Sequence, residues 1–189
     1  MNKSTKKQYG VSGLILLAVL FSFFGWVLEM VVCRIEAGRW VERGFLSLPI
    51  CPIYGACVLT AYLLLGTPNT PRGLLRNVKK SRRTLLYLLC SFAIPSGAEL
   101  LVGWFFDKTY HVKLWTYSAW KYNLYGYVCL PVSLLWAVLL FLVMRYAFPF
   151  FEARIQKIPR MLQRSAAAFF TAVTLLDGAI QLFRISILR

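Results

Sequence analysis

Charged residues are scarce in this sequence, and acidic residues are scarcer still. Only 15% of the 189 residues are charged and only 7 are Asp or Glu, whereas 59% are hydrophobic. A typical soluble domain has about 45–50% apolar and about 25% charged residues. The composition therefore excludes an ordinary soluble domain and predicts an integral membrane protein.

Motifs of nucleotide-binding proteins and hydrolases are also missing. The sequence has no G-x-x-x-x-G-K-[ST] phosphate loop and no G-x-S-x-G nucleophile motif. It has a single histidine, His111, and its five cysteines show no C-x-x-C spacing, so we predict no metal site. We expect a protein that is not an enzyme, has no cofactor and obtains any nucleotide energy from a partner.

Long apolar runs dominate the rest of the chain. Five runs are close to the length of about 20 residues that crosses a bilayer core, namely 11–33, 48–66, 84–106, 124–144 and 165–183. The second run is broken at its start by Pro49, Pro52 and Gly55, which indicates a late-starting helix or a re-entrant segment. The predicted fold is an all-α integral membrane protein, a single membrane domain over residues 1–189. It has about five transmembrane helices and a Pro/Gly-broken entry to the second.

The net charge of +15 is placed mainly between these runs. With five spans, fourteen Lys and Arg residues fall on one side of the membrane and eight on the other. The positive-inside rule then puts the N-terminus, 67–83 and 145–164 in the cytoplasm, facing anionic lipids rather than nucleic acid. A chain with four spans gives the same totals of Lys and Arg on the two sides. Only the N-terminal tail and 34–47 then change to the opposite side of the membrane. Five spans are favoured because Lys3, Lys6 and Lys7 directly precede the first run.

An amphipathic stretch follows the fourth run. Phe151, Ile155, Ile158 and Leu162 recur at the spacing of one helix face, with basic residues off that face. The pattern predicts an interfacial helix over about 150–162 that lies on the inner membrane surface. It either rests on lipid or couples the protein to a cytoplasmic partner.

Four carboxylates lie in or beside apolar runs, namely Glu29, Glu99, Asp107 and Asp177. A carboxylate in such a run costs at least ~2.5 kcal/mol near mid-span and needs a partner. In the five-span arrangement Glu29, Glu99 and Asp177 fall between the middle of the membrane and its outer surface. One hypothesis is a polar cavity, open to the outside, that binds a cation, a cationic substrate or a proton. The alternative is that the acids pair with arginines of the first loop, namely Arg34, Arg39 and Arg43.

Several short motifs resemble a known family. They are Phe21-Ser-Phe-Phe-Gly-Trp-Val-Leu-Glu29, Arg43-Gly-Phe-Leu, Pro49-Ile-Cys-Pro-Ile-Tyr-Gly55, Glu99 with Gly103, Trp115-Thr-Tyr-Ser118 and Asn123-Leu-Tyr-Gly126. In this order they resemble the bacterial family of type IV ABC-transporter permeases. The family usually has an acid where this chain has Thr116, an Asn where it has Glu42 and a Gly where it has Leu48.

The resemblance implies a permease-like component in the bacterial cell membrane, with a separate cytoplasmic ATPase or as a subunit of a homo-oligomer. The alternative function is a structural or regulatory membrane protein that organises an envelope complex through the aromatic loop 115–127. The candidate substrate- or ion-binding residues are Glu29, Glu99, Asp177, Arg43, Tyr54, Trp115 and Asn123.

Overall fold

The computed structural model describes residues 10–39 and 44–187 and consists almost entirely of helices. The α-helices are α1 (Val11–Ala37), α2 (Pro52–Leu65), α3 (Lys80–Tyr110), α4 (Leu130–Leu142), α5 (Phe148–Ile155) and α6 (Arg160–Ile187). A π-helical turn, Val143–Ala147, joins α4 to α5. A 3₁₀ turn covers Gly73–Leu75, and Asn123–Leu124 pairs with Val128–Cys129 in an antiparallel hairpin. The prediction of an all-α membrane fold is confirmed.

Four helices are long and apolar enough to cross a membrane: α1, α3, α6 and the continuous helix Leu130–Ile155. Helix α2 has 14 residues, and at about 1.5 Å per residue it extends only about 21 Å, less than a bilayer core of about 30 Å. The predicted second span is therefore shorter as a helix than the run 48–66. Its remaining length is non-helical backbone.

The chain nevertheless passes from one end of the bundle to the other between α1 and α3. Phe45 packs against Phe106 near the end of α3, with ring centroids 4.9 Å apart. At the other end of this passage, the hydroxyl of Tyr87, in the first half of α3, donates to the carbonyl of Gly66 at 2.8 Å. Residues 44–66 thus run antiparallel to α3 and make one of five passages through the bundle.

The bundle has two chemically different ends. We call the end that holds the turns 66–79 and 156–159 the basic end, because Lys and Arg residues are concentrated there. We call the opposite end, which holds residues 111–129, the hairpin end. Gly13 lies beside Ile155 and Gln163, so the start of α1 belongs to the basic end.

The entry to α2, residues 44–51, is non-helical backbone with several bends, and hydrogen bonds hold it to α1 and α6. The N–H of Leu48 donates to Asp177 Oδ2 at 3.0 Å, and the N–H of Cys51 donates to the carbonyl of Ser22 at 2.9 Å. Pro49 has no N–H to satisfy. Irregular backbone within a membrane protein needs such internal partners, because lipid supplies none. The helix of this segment begins only at Pro52, four residues into the apolar run 48–66.

A hydrophobic core fills the half of the bundle nearer the basic end. It contains Leu17, Phe21, Val58, Ala61, Tyr62, Leu65, Leu75, Tyr87, Leu140, Met144 and Phe148. Phe148 is fully buried and stacks between Phe21 and Tyr62, with ring centroids 6.1 Å and 4.6 Å away. This half of the molecule is therefore closely packed with apolar and aromatic side chains.

In place of the predicted interfacial helix over 150–162, the chain has the end of one helix, a turn and the start of another. The ring of Phe151 lies 6.0 Å from that of Phe21 and 5.3 Å from that of Phe24. The apolar side of the segment 150–162 is therefore partly buried against α1 instead of lying on lipid. The turn comes at Gln156–Pro159, because proline cannot continue a helix from the preceding turn.

Candidate functional site

Glu29 is joined to α2 by a hydrogen bond. The hydroxyl of Tyr54 donates to Glu29 Oε1 at 2.8 Å. Tyr54 approaches α1 closely because the residue one turn before Glu29 is Gly25, where any Cβ would overlap the tyrosine ring. The sequence thus makes room for the ring and places its hydroxyl on the carboxylate.

Glu99 lies on the buried face of α3. That face is formed by residues four apart, namely Tyr87, Ser91, Pro95, Glu99 and Gly103. Glu99 is only 8% exposed, and its Oε1 accepts hydrogen bonds from Trp136 Nε1 at 3.0 Å and from the Tyr117 hydroxyl at 3.4 Å. Its other oxygen, Oε2, is buried and has no hydrogen-bond partner among the described residues. Glu99 therefore retains an unused acceptor in a protected place.

The two acids belong to one group of side chains. The rings of Tyr54 and Trp136, which donate hydrogen bonds to Glu29 and Glu99, meet edge to face with centroids 5.3 Å apart. We call Glu29, Tyr54, Trp136, Glu99 and Tyr117 the acid cluster. Its hydrogen bonds come from neutral donors, two hydroxyls and one indole N–H. Neutral donors stabilise a carboxylate without cancelling its charge.

Tyr117 reaches Glu99 from the loop at the hairpin end. Its N–H donates to the carbonyl of Gly126 at 2.8 Å, which fixes the loop beside the hairpin. Burial, reinforced by the Glu99 carboxylate, raises the pKa of Tyr117 above its ordinary value. The hydroxyl therefore stays protonated and remains a donor. The aromatic loop 115–127 thus contributes one side chain to the site.

Trp115 and Asn123 support the loop and make no hydrogen bond to the acids. Trp115 Nε1 donates to the carbonyl of Tyr127 at 2.9 Å. Asn123 Oδ1 accepts from the N–H of Gly126 at 2.9 Å, and its Nδ2 donates to the carbonyl of Trp120 at 2.8 Å. Both side chains therefore shape the segment that carries Tyr117. The remaining predicted site residue, Arg43, lies outside the described residues.

Asp177 belongs to a separate network. Its Oδ2 accepts from the Leu48 N–H, and its Oδ1 accepts from Gln181 Nε2 at 3.3 Å. Gln181 also donates to the hydroxyl of Ser47. Asp177 thus fastens the entry segment to α6 through a backbone amide. The bundle brings Glu29 and Glu99 together and leaves Asp177 in another place.

The sequence analysis did not identify Trp136 as a site residue. The available signal was a tryptophan within an apolar run, because a buried indole N–H usually finds an acceptor. Tyr117 stands in the aromatic loop 115–127, where nothing in the sequence links it to a particular acid. Which acid a given aromatic donor meets depends on helix packing, and the sequence does not reveal that packing.

Two cavities lie at the basic end, far along the bundle from the acid cluster. One, of about 150 Å³, is lined by residues of α1, α5 and α6, including Gly13 and Gln163. The other, of about 310 Å³, lies among the turn 66–71, α3 and the α4 helix. Neither is lined by Glu29 or Glu99, which are bridged by aromatic side chains instead. Within 10–39 and 44–187, no three His, Cys, Asp or Glu residues are grouped as metal ligands.

Comparison with known proteins identifies a family. A family model described as "Putative ABC-transporter type IV" matches residues 16–182. No curated protein matches the chain, and no solved structure matches it. The matched range contains the whole acid cluster, the entry to α2 and nearly all of α6. The chain therefore belongs to this ABC-transporter type IV family and is a multi-pass membrane protein.

Proposed function

We propose that this protein is the permease-like transmembrane subunit of an ABC-type transport system in the bacterial cell membrane. A separate cytoplasmic ATPase would supply the energy, and the chain itself would catalyse no reaction. The observation that carries the proposal is the asymmetry of the bundle. Two acids, each hydrogen-bonded to an aromatic side chain, lie towards the hairpin end. A closely packed apolar core lies towards the basic end.

In a transport protein, a closely packed half of the bundle seals the polar site from one side of the membrane. A polar site accessible from one side and sealed from the other can bind its substrate without leaking it. The unused oxygen Oε2 of Glu99 is an acceptor for a proton or a cationic group. We propose that cations, cationic molecules or protons are the substrate class, with Glu29 and Glu99 as the binding residues.

The basic end is the proposed contact for the ATPase and for anionic lipids. Exposed cations surround the turn between α5 and α6, namely Arg154, Lys157, Arg160 and Arg164. Such a patch attracts acidic protein surfaces and anionic headgroups. A second copy of the chain would complete the transmembrane part of the transporter, as in a homo-oligomer.

The first test replaces the two acids. Glu29→Gln and Glu99→Gln keep shape and hydrogen-bonding capacity but lose the negative charge, so we expect normal membrane insertion and loss of activity. Complementation of a deletion strain measures activity, and thermal unfolding in detergent measures stability. Asp107→Asn is the matched control, because Asp107 lies two turns further along α3 and is hydrogen-bonded to Tyr127 outside the cluster. Full activity of both Gln variants would contradict the proposed site.

The second test concerns the partner. An ATPase subunit should copurify with the protein, and the double variant Arg154→Glu with Lys157→Glu should lose it because the patch reverses its charge. Lys113→Glu with Lys121→Glu, at the hairpin end, is the control.

One observation favours the structural role instead. Tyr122 and Tyr125 are 68% and 81% exposed at the hairpin, as expected of a protein-binding surface. Recovery of envelope proteins without an ATPase, abolished by Tyr122→Ser with Tyr125→Ser, would support that role and reject the transport proposal.

A further inference from the structure

The larger cavity at the basic end has the chemistry of an anion site. Of the eight residues that line it, Lys80, Arg83 and Arg145 are cationic and none is acidic. Asn69 and Thr84 add a side-chain amide and a hydroxyl. We call this space, of about 310 Å³, the cationic cavity. Three positive charges around one space repel each other unless an anion joins them.

The arginines are held in place, and one of them has an unused donor. Arg83 Nη2 donates to the carbonyl of Val78 at 2.9 Å, whereas its Nε is buried and has no hydrogen-bond partner among the described residues. The guanidinium of Arg83 is thus fixed beside the cavity by a single backbone carbonyl, and an anion is the acceptor that a guanidinium binds most strongly. The guanidinium of Arg145 lies 5.9 Å and 5.5 Å from the ring centroids of Phe141 and Tyr146.

The position of the cavity indicates what the anion is attached to. Lys80 and Arg83 stand in the first turn of α3, immediately before the apolar part of that helix begins at Leu85. On the α4 helix, Leu134 and Val138 precede Arg145 by eleven and seven residues, so they lie on the same face. They are 54% and 52% exposed, so this surface faces lipid. A phosphate in the cavity would therefore lie at headgroup depth, with its acyl chains against these two side chains.

We propose that the cationic cavity is a specific binding site for a phosphate group, supplied by the headgroup of an anionic phospholipid. The site differs from a general attraction of basic loops to a charged membrane. It has a defined cavity, cations from two helices and two neutral polar side chains, Asn69 and Thr84, in its lining. The proposal does not depend on the transport function, since a structural protein could bind lipid in the same way.

The test measures lipid retention. In native mass spectrometry with added phosphatidylglycerol, we expect one tightly retained lipid per chain. Charge-assisted hydrogen bonds contribute enough that Arg83→Gln or Lys80→Gln should weaken retention by about tenfold or more. Lys80→Gln is included because Lys80 is exposed and its loss leaves the fold intact even if Arg83→Gln does not.

The controls are the neighbouring residues Lys79 and Arg82. Both are exposed, carry the same charge and do not line the cavity. Lys79→Gln and Arg82→Gln should retain the lipid as the unmodified protein does. Equal losses from both pairs of variants would show that only general electrostatic attraction acts, and would overturn the proposal.

A further arm separates the two sources of phosphate. Inorganic phosphate at millimolar concentration and phosphatidylglycerol are each added to the detergent-solubilised protein, and thermal unfolding is followed. Stabilisation by the lipid that requires Arg83 supports the headgroup. Stabilisation by inorganic phosphate alone, again requiring Arg83, supports a phosphate site but rejects the lipid as its source. Stabilisation by neither ligand rejects the site.

Discussion

The membrane carboxylates differ in what holds them. Glu29 accepts from a tyrosine hydroxyl, Glu99 from an indole N–H and a second tyrosine, and Asp177 from a backbone amide. A charge within an apolar helix is tolerated only when such donors replace water. These donors indicate different roles for Asp177 and Glu99. Asp177 has a structural role, because it accepts from a backbone N–H that lipid could not satisfy. Glu99 keeps one oxygen free to bind a ligand.

The structural role of Asp177 gives a first prediction. Asp177→Ala should lower stability by about 1–3 kcal/mol, because it leaves the partly buried N–H of Leu48 without an acceptor. Asp177→Asn should cost less, since the amide oxygen can still accept. Thermal unfolding in detergent measures both, with Thr171→Ala on the exposed surface of α6 as the control. A variant Asp177→Ala as stable as the control would show that the entry segment does not depend on this bond.

At the scale of the elements, the contact between α1 and α2 depends on two glycines. A Cβ on Gly55 would overlap the carbonyl oxygen of Ala18 and the hydroxyl of Ser22, and a Cβ on Gly25 would overlap the ring of Tyr54. Small residues let membrane helices approach until their backbones touch. The close approach is also what brings Tyr54 to Glu29, so packing and site geometry are linked here.

Substitution of these glycines tests that link. Gly55→Ala should destabilise the protein by about 1–3 kcal/mol, because backbone atoms of α1 would have to move away. Gly97→Ala is the matched control, since nothing lies within 4 Å of the added Cβ, and it should be neutral or stabilising by up to about 1 kcal/mol. Melting temperatures in detergent compare the two. Similar melting temperatures for both variants would mean that α1 and α2 separate without cost.

The elements also show how far the sequence could predict this fold. The apolar runs located the long helices, but α3 and α6 begin at Lys80 and Arg160, before the predicted 84 and 165. Helical hydrogen bonding continues past the apolar run, so hydrophobicity alone sets the boundary too late. The fourth helix extends to Ile155, past the predicted end at 144, although Pro149 lies within it. This proline stands in the first turn of α5, directly after the π-helical turn.

The acids of the site could be predicted from the sequence, but the side chains that donate hydrogen bonds to them could not. Glu29 and Glu99 stood out because carboxylates are rare in apolar runs. The pairing of Tyr54 with Glu29 requires the register between α1 and α2, and that register is set by contacts such as Gly25 with Tyr54. The spacing of residues along one helix shows which of them share a face of that helix. Contacts between helices depend on the packing of the whole bundle.

At the scale of the whole molecule, the exposed positive charge and the close apolar packing are concentrated towards the same end of the bundle. The basic end carries the exposed cations of the turn around Lys157 and the cationic cavity, and the hydrophobic core lies next to it. The acid cluster lies towards the other end. If the basic end is cytoplasmic, as the positive-inside rule requires, the acids face the outer half of the membrane. The orientation thus determines which compartment the proposed site serves.

Reporter fusions test this orientation. A cytoplasmic reporter joined at Gly10 or Ser81 should be active, because both residues lie at the basic end, and an external reporter should be active at Ser118, at the hairpin end. Helix α6 starts at the basic end and runs to the hairpin end. An external reporter after Ile187 should therefore also be active. The fusion at Gly10 is decisive, since only a chain with five crossings has this residue on the same side as Ser81. An external signal at Gly10 together with a cytoplasmic signal at Ser81 would mean that residues 44–66 do not cross the membrane, and that Glu29 lies nearer the cytoplasm than Glu99.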